Sequence, residues 1–370
     1  MHSTFEITNV VMRAATDAGF ELAGIAPVQE SPELEYFPLW IAEGHAGEMK
    51  YLEARNEQGL LKRASLANSA PWARSVVVCA INYNTAEPYS TDARNHSAEN
   101  QQRGWISRYA WGQHDYHDSV MPRLLRVEAA LRSAVASDDL VTRCYVDTGP
   151  IVERVAAKYA GIGWIGKNTC IINQKIGSWL FLGVILTSLD LTPGLPAPDR
   201  CGSCTRCIDA CPTNAFIAPY QLDSNKCIAY LTIEKRGAIP HDKDEDKDKD
   251  EDLRSGMGRH IFGCDICQDV CPWNRKAPAT SAAEFQPREE LLNPALEWLA
   301  DISTEEFSRT FKTSPLRRAK RAGLRRNAVI AMGNSGDRNF LSHLKKLATD
   351  DDVVVAQSAA WAIQKLNSSD

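Results

Sequence analysis

The sequence lacks the features that mark membrane, secreted and nucleotide-binding proteins. No apolar run reaches the roughly 20 residues that a membrane-spanning helix needs, and residues 1–20 lack the basic-then-apolar order of a signal peptide. Neither a Walker loop nor a G-x-G-x-x-G placed between a strand and a helix is present. These absences favour a cytoplasmic protein and give no basis for a nucleotide site.

Charge imbalance is confined to one short stretch. The formal net charge is -5, and the run 241–252 contains eight acids and three lysines, so this run accounts for the whole imbalance. A run of this composition has too little apolar surface to fold by itself. We expect a solvated loop, inserted into a cysteine-rich region, without a catalytic role.

Cysteine is abundant instead, and eight of the eleven cysteines lie between residues 201 and 271. In a reducing compartment such a number favours metal binding over disulfides. The first group reads C-x2-C-x2-C-x3-C-P and ends at Pro212, and the second reads C-x2-C-x3-C-P and ends at Pro272. Cys227 lies alone between the two groups.

This spacing is typical of proteins with two 4Fe-4S clusters. Three closely spaced cysteines hold one cluster, while the cysteine before proline ligates the other cluster. Zinc also binds paired C-x2-C groups, but it does not explain a triplet followed by cysteine and proline. We therefore predict two interleaved ligand sets: Cys201, Cys204, Cys207 and Cys271 in the first, and Cys211, Cys227, Cys264 and Cys267 in the second.

Asp147 is the candidate acid of the N-terminal half. Residues 143–150 predict a strand that ends in a turn, and 151–160 predict a helix with Pro150 at its first position. Asp147 would then lie at the carboxyl end of a strand, where ligands of α/β sheets bind. A carboxyl group in an apolar cofactor pocket has a raised pKa and can donate a proton. Capping the following helix is the alternative role, and the residues alone leave both open.

Composition and periodicity suggest a mixed fold, α/β or α+β, in four segments. We expect an α/β domain over 1–192, a bacterial ferredoxin-like domain over 193–280, a helical connector over 281–314 and α-helical HEAT-like repeats over 315–370. The last segment shows helical apolar spacing separated by short polar turns, which is typical of a repeat module.

The last segment is also basic. Between Pro315 and Lys346 there are nine Lys and Arg residues and one acid. A cationic helical surface suits a phosphate backbone, although a solvated helix face has the same composition. We therefore predict that this segment binds RNA.

Several motifs together resemble one known family. They are V-D-T-G at 146–149, G-I-G-W-I-G-K-N-T at 161–169, Y-L-T-I-E at 230–234, G-C-D-I-C-Q at 263–268 and R-R-N-A at 325–328. In combination, and over nearly the whole chain, they resemble the epoxyqueuosine reductase family, which is related to reductive dehalogenases.

The resemblance implies a cofactor, a substrate and roles for particular residues. It implies base-off cobalamin between the α/β domain and two 4Fe-4S clusters, electrons from an external flavodoxin or ferredoxin system, and epoxyqueuosine at the wobble position of a tRNA as substrate. It implies a monomer in which Asp147 is the proton donor. The cobalamin contacts it implies are Arg63, Ser107, Asp147, Ile171, Leu182, Ser224 and Asp265. The expected tRNA contacts are Lys235, Arg236, Arg325 and Arg326.

Three other functions fit parts of the same pattern. A cobalamin-dependent reductive dehalogenase shares the cofactors but leaves the basic tail unexplained. A ferredoxin-type electron carrier with a docking domain would bind no corrinoid. A tRNA-binding scaffold with structural clusters would not change their oxidation state during its function.

Overall fold

The protein is described by a computed structural model that covers residues 3–92, 97, 100–240 and 252–368. The predicted acidic loop at 241–252 lies outside these residues except for Asp252. Within the described ranges, no helix combines the length and the apolar character that a bilayer crossing needs. The α-helices of the described residues are α1 (Thr4–Asp17), α2 (Pro32–Ala42), α3 (Tyr116–Val135), α4 (Glu153–Tyr159), α5 (Arg206–Asp209), α6 (Ile228–Ile233), α7 (Leu253–Gly256), α8 (Ile266–Asp269), α9 (Leu296–Asp301), α10 (Thr304–Thr310), α11 (Lys320–Asn334), α12 (Leu341–Leu347) and α13 (Val353–Asn367).

A sheet with the strand order β1-β2-β7-β4 forms the centre of the N-terminal half, and each of its neighbouring pairs is antiparallel. Three further strand pairs are short. The strands are β1 (Leu22–Pro27), β2 (Ser75–Asn82), β3 (Trp105–Ile106), β4 (Thr142–Tyr145), β5 (Trp164–Ile165), β6 (Ile171–Ile172), β7 (Leu180–Thr187), β8 (Phe216–Ala218), β9 (Gln221–Leu222) and β10 (His260–Phe262).

Helices cover both faces of this sheet. Strand β2 is buried along its whole length, which explains its unbroken apolar sequence, because a strand covered on both faces has no polar side. On one face Val11 and Leu124 pack from α1 and α3. On the other face Ala157 of α4 packs against Val184 of β7. The expected mixed fold is confirmed, and the apolar run 76–81 lies within β2.

The helix predicted after Asp147 begins later than expected. It starts at Glu153, with Val152 as the preceding residue and no side-chain cap, so Pro150 is not its first residue. Asp147 has a φ of 60°, a left-handed conformation that turns the chain away from β4 before a helix can begin. The expectation for Asp147 had assumed that the carboxyl ends of neighbouring strands share one edge of the sheet. In an antiparallel sheet they do not.

The cysteine-rich segment is joined to the N-terminal half through backbone pairing. Strand β10 pairs in parallel with β3, and the amide of Ser107 donates to the carbonyl of Phe262 at 2.7 Å. Within the segment, α5 packs against α8. These two short helices come from the first and the second half of the cysteine motif.

The C-terminal helices pack on one another and on the cysteine-rich segment. Helix α11 contacts α9 and α13, α12 contacts α13, and α11 also lies against β10 and α6. The predicted apolar positions Leu324, Ala328, Phe340 and Ala362 are buried in a shared core. This core continues through β3 and β10, so the C-terminal helices do not pack as an isolated unit.

The prediction that Arg325 lies on an exposed RNA-binding face is wrong. Arg325 is buried, and its Nε donates to the carbonyl of Ala300 at 2.6 Å. Its Nη2 also pairs with Asp350 at 2.6 Å. The guanidinium is satisfied inside the protein, because a buried charge needs a partner and hydrogen bonds.

Arg326 is likewise buried, and the same prediction is wrong for this residue. Its Nη2 donates to the carbonyl of Leu231 at 2.6 Å, and its Nη1 donates to the carbonyls of Gly237 and Lys235 at 2.7 and 3.0 Å. Desolvation lowers the pKa of Arg326 to about 10. Its charge holds α11 against the segment that follows α6.

Replacing Arg326 by alanine should destabilise the protein, because three carbonyls lose a charged donor. We expect a loss of about 3 kcal/mol in the free energy of unfolding, the scale of a lost hydrogen bond to a charged group. Urea denaturation followed by circular dichroism measures it. Lys345→Ala, at an exposed position of α12, is the control, and equal midpoints for the two variants would contradict this account.

Candidate iron–sulfur and acid–base site

The predicted ligands of the first cluster lie together. All eleven cysteines are free thiols. Cys271 packs with Trp164 and Cys201, although Cys201 and Cys271 come from opposite ends of the motif. The pKa of Cys271 is raised first by burial and then by the neighbouring thiols of Cys207 and Cys201. Similarly, after burial, Cys201 and Cys204 raise the pKa of Cys207.

The remaining four thiols form a second group. Cys227 and Cys264 pack around an apolar group that contains Leu231. The pKa of Cys264 is raised well above its ordinary value by burial, then by Cys227, and also by Cys211. Cys264 and Cys227 also raise the pKa of Cys267, after the effects of a neighbouring thiol and of burial. Apart from Cys170, the thiols that raise the pKa of each of these cysteines belong to its own predicted set, and the assignment of ligands to the two clusters stays a prediction.

The arrangement of these donors suits clusters better than a single ion. In the ranges that the structure describes, no three His, Cys, Asp or Glu side chains converge closely enough to hold one metal ion. A zinc site would need its donors about 2.0–2.3 Å from one point, whereas cluster ligands surround a larger cube. Two sets of four free thiols fit two 4Fe-4S clusters.

A ninth thiol, Cys170, lies beside the second group. Its side chain hydrogen-bonds to Cys267, and this contact is the main cause that lowers the pKa of Cys170. Asn168 supports the arrangement, since its Nδ2 donates to the carbonyl of Cys267 at 3.2 Å and its Oδ1 accepts from the amide of Cys170 at 3.2 Å. The glycine-rich segment 161–169 thus positions a cysteine loop.

Ser107 and Asp265, two predicted cofactor contacts, bond directly to each other. Both are buried, and the Ser107 hydroxyl donates to Asp265 Oδ1. Asp265 Oδ2 also accepts from the amide of Arg108 at 2.7 Å and from Trp105 Nε1 at 3.4 Å. Burial raises the pKa of Asp265 despite these donors. This carboxyl fixes the loop of Cys264 to the loop after β3.

Asp147 is exposed and is held by two neighbours. The Tyr116 hydroxyl donates to Asp147 Oδ2 at 2.8 Å, and the Asp147 amide donates to Glu153 Oε1 at 2.8 Å. Because a non-glycine residue in the left-handed region is strained, these contacts stabilise a costly backbone conformation. Burial and then Asp147 raise the pKa of Glu153 to about 8, so Glu153 can hold a proton near neutral pH.

Aromatic rings connect Asp147 to the cysteine-rich segment. Tyr116 stacks on Phe181 with ring centroids 4.5 Å apart and meets Tyr109 edge-on at 5.9 Å. Burial raises the pKa of Tyr109, and the charges of both Asp147 and Asp265 act on the same side chain. Tyr109 therefore lies between the acid and the carboxyl that holds the Cys264 loop.

Arg318 extends the site from the C-terminal half. Its Nη2 bonds both oxygens of Asp115, at 3.1 and 2.9 Å, and its guanidinium lies 5.3 Å from the centroid of the Tyr116 ring. Arg318 Nη1 and His117 Nε2 are buried atoms without a hydrogen-bond partner. Two polar atoms beside Tyr116 are thus available to a ligand.

Arg63, Ile171 and Leu182 lie on the other face of the sheet. Ile171 and Leu182 belong to the hydrophobic core that also includes Tyr145, two residues before Asp147. Arg63 Nη1 donates to the carbonyl of Ile151 at 3.2 Å, beside a cavity of about 160 Å³. The cavity is lined mainly by apolar residues, and the Ser31 hydroxyl on its wall has no partner.

The other predicted contacts are more dispersed. Ser224 is buried, and its amide donates to the carbonyl of His45 at 3.0 Å. Lys235 pairs with Glu48. Arg236 is exposed, and its Nη2 donates to the carbonyl of Arg318 at 2.8 Å, which places Arg236 next to the Asp147 site.

Sequence reasoning missed two residues of the site. Glu153 follows Asp147 by six positions, but the sequence predicted it to lie inside a helix. Arg318 was counted with the RNA-binding charges of the tail. The sequence around Glu153 and Arg318 does not indicate that they lie near Tyr116, because their partners belong to other helices and strands.

The fold and these donors define a class: an iron–sulfur oxidoreductase with two clusters beside an α/β domain that bears an acid. The family described as "4Fe-4S double cluster binding domain" matches residues 200–274. The family described as "Epoxyqueuosine reductase QueG, DUF1730" matches residues 63–148.

Whole-chain comparisons agree. The epoxyqueuosine reductase of Synechocystis sp. is 43% identical over 82% of this chain and 98% of its own length. A solved epoxyqueuosine reductase with an epoxyqueuosine-modified tRNA-Tyr stem loop aligns with a TM-score of 0.82 and 31% identity, covering 98% of this chain and 91% of that one. The Bacillus subtilis enzyme, in a structure with its catalytic aspartate loop swung out of the active site, has a TM-score of 0.82 and 27% identity, covering 98% and 91%. The chain belongs to the epoxyqueuosine reductase family.

The two thiol sets predict how iron content responds to substitution. Cys204→Ala and Cys227→Ala should each remove one cluster, so bound iron should fall from about eight to about four atoms per chain. Iron analysis and electron paramagnetic resonance after anaerobic reconstitution measure this. Cys144→Ala, which changes a thiol on β4, should keep the full iron content. Full iron content in the Cys227 variant would exclude that residue as a ligand.

Replacing Glu153 by alanine should loosen the Asp147 loop, because the Asp147 amide loses its acceptor. One net hydrogen bond is worth about 1 kcal/mol, so amide hydrogen exchange at Asp147 should accelerate about fivefold. Exchange mass spectrometry over residues 145–152 reads this out. Glu153→Gln keeps an acceptor oxygen and should behave like the parent protein, and identical exchange in the alanine variant would refute the contact.

Proposed function

We propose that this protein reduces epoxyqueuosine to queuosine at the wobble position of tRNA, using cobalamin and two 4Fe-4S clusters. The observation that carries the proposal is the placement of Asp147, which Tyr116 and Glu153 hold at a site connected through Tyr109 to the predicted cluster ligands. Membership of the family supports the substrate.

The residues around Asp147 fit a large cofactor with polar edges. Beside Tyr116, Arg318 Nη1 and His117 Nε2 are buried polar atoms without partners, and on the other face of the sheet Ile171 and Leu182 supply apolar surface. Arg63, Ser107, Asp147, Ile171, Leu182, Ser224 and Asp265 are the residues that would hold cobalamin. When bound, cobalamin supplies a low-valent cobalt that delivers electrons to the epoxide.

The reaction requires protons from the protein or solvent. Converting an epoxide to an alkene breaks two carbon–oxygen bonds, consumes two electrons and two protons, and releases water. Asp147 would pass the first proton from its carboxyl group to the departing oxygen. Tyr116 orients Oδ2.

Glu153 supports the same step in two ways. Its carboxylate oxygen fixes the Asp147 backbone, which keeps the carboxyl group aimed at the substrate. Its pKa of about 8 also makes it a second proton store next to Asp147. In the Bacillus subtilis relative the catalytic aspartate loop can leave the active site, so holding this loop inward is a requirement for protonation.

The tRNA anticodon loop would enter beside Arg236 and Arg318. Single-stranded loops expose base edges that a protein pocket can read. Arg325 and Arg326 are buried, so they do not contact the phosphate backbone of tRNA. The exposed cations that would make these contacts are Arg236, Lys320 and Lys346. The solved relative that contains a modified tRNA stem loop supports this partner. A tRNA substrate would place the reaction in the cytoplasm.

The domain layout serves this arrangement. We assign 1–192 to cobalamin binding, 193–280 to the clusters, 281–314 to a connector and 315–370 to a HEAT-like unit that faces tRNA. The packing of α11, α12 and α13 supports the last assignment, since a repeat unit buries its apolar face only against neighbours.

Asp147→Asn should keep both clusters and cobalamin but lose product formation by about 10²- to 10⁴-fold, the usual contribution of a positioned acid. Mass analysis of nucleosides from epoxyqueuosine-containing tRNA measures product, and visible spectra check the cofactors. The matched control is Asp118→Asn, an exposed carboxyl at the start of α3. Undiminished turnover in the Asp147 variant would remove it as the acid.

A further inference from the structure

Three apolar side chains are exposed close to the first set of cysteines. Leu195 is 87% exposed, Ile217 is 47% exposed and Tyr220 is 40% exposed. Tyr220 bonds Asp199 through its hydroxyl, and the Asp199 carboxylate in turn accepts from the amide of Cys201 at 2.7 Å. Exposed apolar residues on adjoining segments often mark a binding surface.

Basic residues surround these apolar side chains. Lys167 Nζ donates to the carbonyl of Gly202 at 2.7 Å, and the Lys167 carbonyl accepts from the amide of Tyr220 at 3.1 Å. Five more cations are exposed on the adjoining loops, namely Arg200, Arg206, Lys175, Arg275 and Lys276.

Contacts link several of these loops to one another. The turn at 173–177 touches the segment after Cys271, since a Cβ on Gly177 would lie 2.3 Å from Asn274 Oδ1. Trp273 of the same segment lies 5.0 Å from Trp164, and Cys201 packs with both tryptophans. We call this surface the outer face; it comprises residues 173–177, 195–206, 217–220 and 272–276, with Lys167.

The outer face is basic in a chain of net charge -5. Its acid, Asp199, is already bonded to Tyr220 and to the Cys201 amide, and Asp209 nearby accepts from Thr205 at 2.8 Å. An apolar centre with a charged rim is the usual composition of a protein interface. A phosphate backbone would have no use for Leu195 and Ile217, so a protein partner fits better than RNA.

The outer face also lies over the thiol set that is closer to solvent. Gly202, Ser203 and Thr205, which flank Cys201 and Cys204, are exposed, whereas Gly263 and Asp265, which flank Cys264, are buried. Electrons from outside would therefore reach the first set of thiols before the second.

We propose that the outer face docks a small acidic protein that carries single electrons, and that electrons enter at the cluster of Cys201, Cys204, Cys207 and Cys271. This inference rests on the proposed function for its need of electrons. Each encounter oxidises the carrier by one electron and reduces the cluster by one, so two encounters supply one epoxide reduction. The basic rim attracts the acidic carrier, and the apolar centre brings it close.

Stopped-flow reduction of the reconstituted full-length protein tests the proposal. The charge-reversal pair Lys175→Glu and Lys276→Glu changes exposed residues that are not cluster ligands, and Arg309→Glu with Lys312→Glu, two exposed cations at and just after the end of α10, is the matched control. The probes are a pre-reduced acidic flavodoxin and, separately, a pre-reduced acidic ferredoxin. Dithionite, a small reductant, and tRNA stem-loop affinity serve as further readouts.

We expect the outer-face pair to slow cluster bleaching by at least one carrier about tenfold at low salt, with the difference shrinking as salt is raised. Dithionite reduction, iron content and tRNA affinity should not change. Leu195→Ser should weaken carrier binding in calorimetry without changing the salt dependence. Absence of epoxide reduction together with these results would count against the proposed function and leave the docking site standing.

Unchanged rates with both carriers would overturn the proposal, as would an equal loss in the α10 control. A fall in tRNA affinity without any change in carrier kinetics would make the outer face an RNA-binding surface instead. Calorimetric titration of each carrier into the two charge-reversal proteins measures carrier binding directly. It therefore tests the proposal without using the cluster spectra.

Discussion

The arrangement of the site depends on one buried carboxyl group, that of Asp265. It follows Cys264 directly and accepts hydrogen bonds from Ser107, Trp105 and the amide of Arg108. These donors come from β3 and the loop after it, so this side chain adds to the pairing of β10 with β3 in fixing the cysteine loop relative to the N-terminal half. Burying such a group without donors would be costly. The position of the second thiol set therefore depends on contacts outside the cysteine-rich segment.

The double 4Fe-4S cluster domain could be predicted from the sequence because cluster chemistry restricts the spacing of cysteines. A ligand triplet must wrap one cube, and the residue before proline must project away from it, so the interleaved grouping follows from local geometry. The buried strand β2 was predictable for a similar reason, since apolar residues without polar alternation indicate burial on both faces. In both cases the information lies in the spacing of a few residue types along the chain.

The surroundings of Asp147 and the fate of the basic tail could not be predicted in this way. Tyr116, Glu153 and Arg318 meet only through tertiary packing, and the sheet proved antiparallel where a parallel edge had been assumed. Net charge in the tail suggested a surface, yet Arg325 and Arg326 bond to internal acceptors. A count of cations cannot distinguish a guanidinium that faces solvent from one that satisfies buried carbonyls, because both occupy helices with the same residue types.

The burial of Arg326 bears on how the protein is made. A ribosome releases all eight cluster thiols before it releases α11, the helix that donates to the carbonyls of Leu231, Lys235 and Gly237. The nascent cysteine-rich segment therefore lacks these donors, and also the strand-covering contacts of α11 with β10. Iron delivery to an unfinished chain would meet a segment without its structural support. The cysteine-rich segment therefore reaches its final packing only after a helix near the end of the chain has been made.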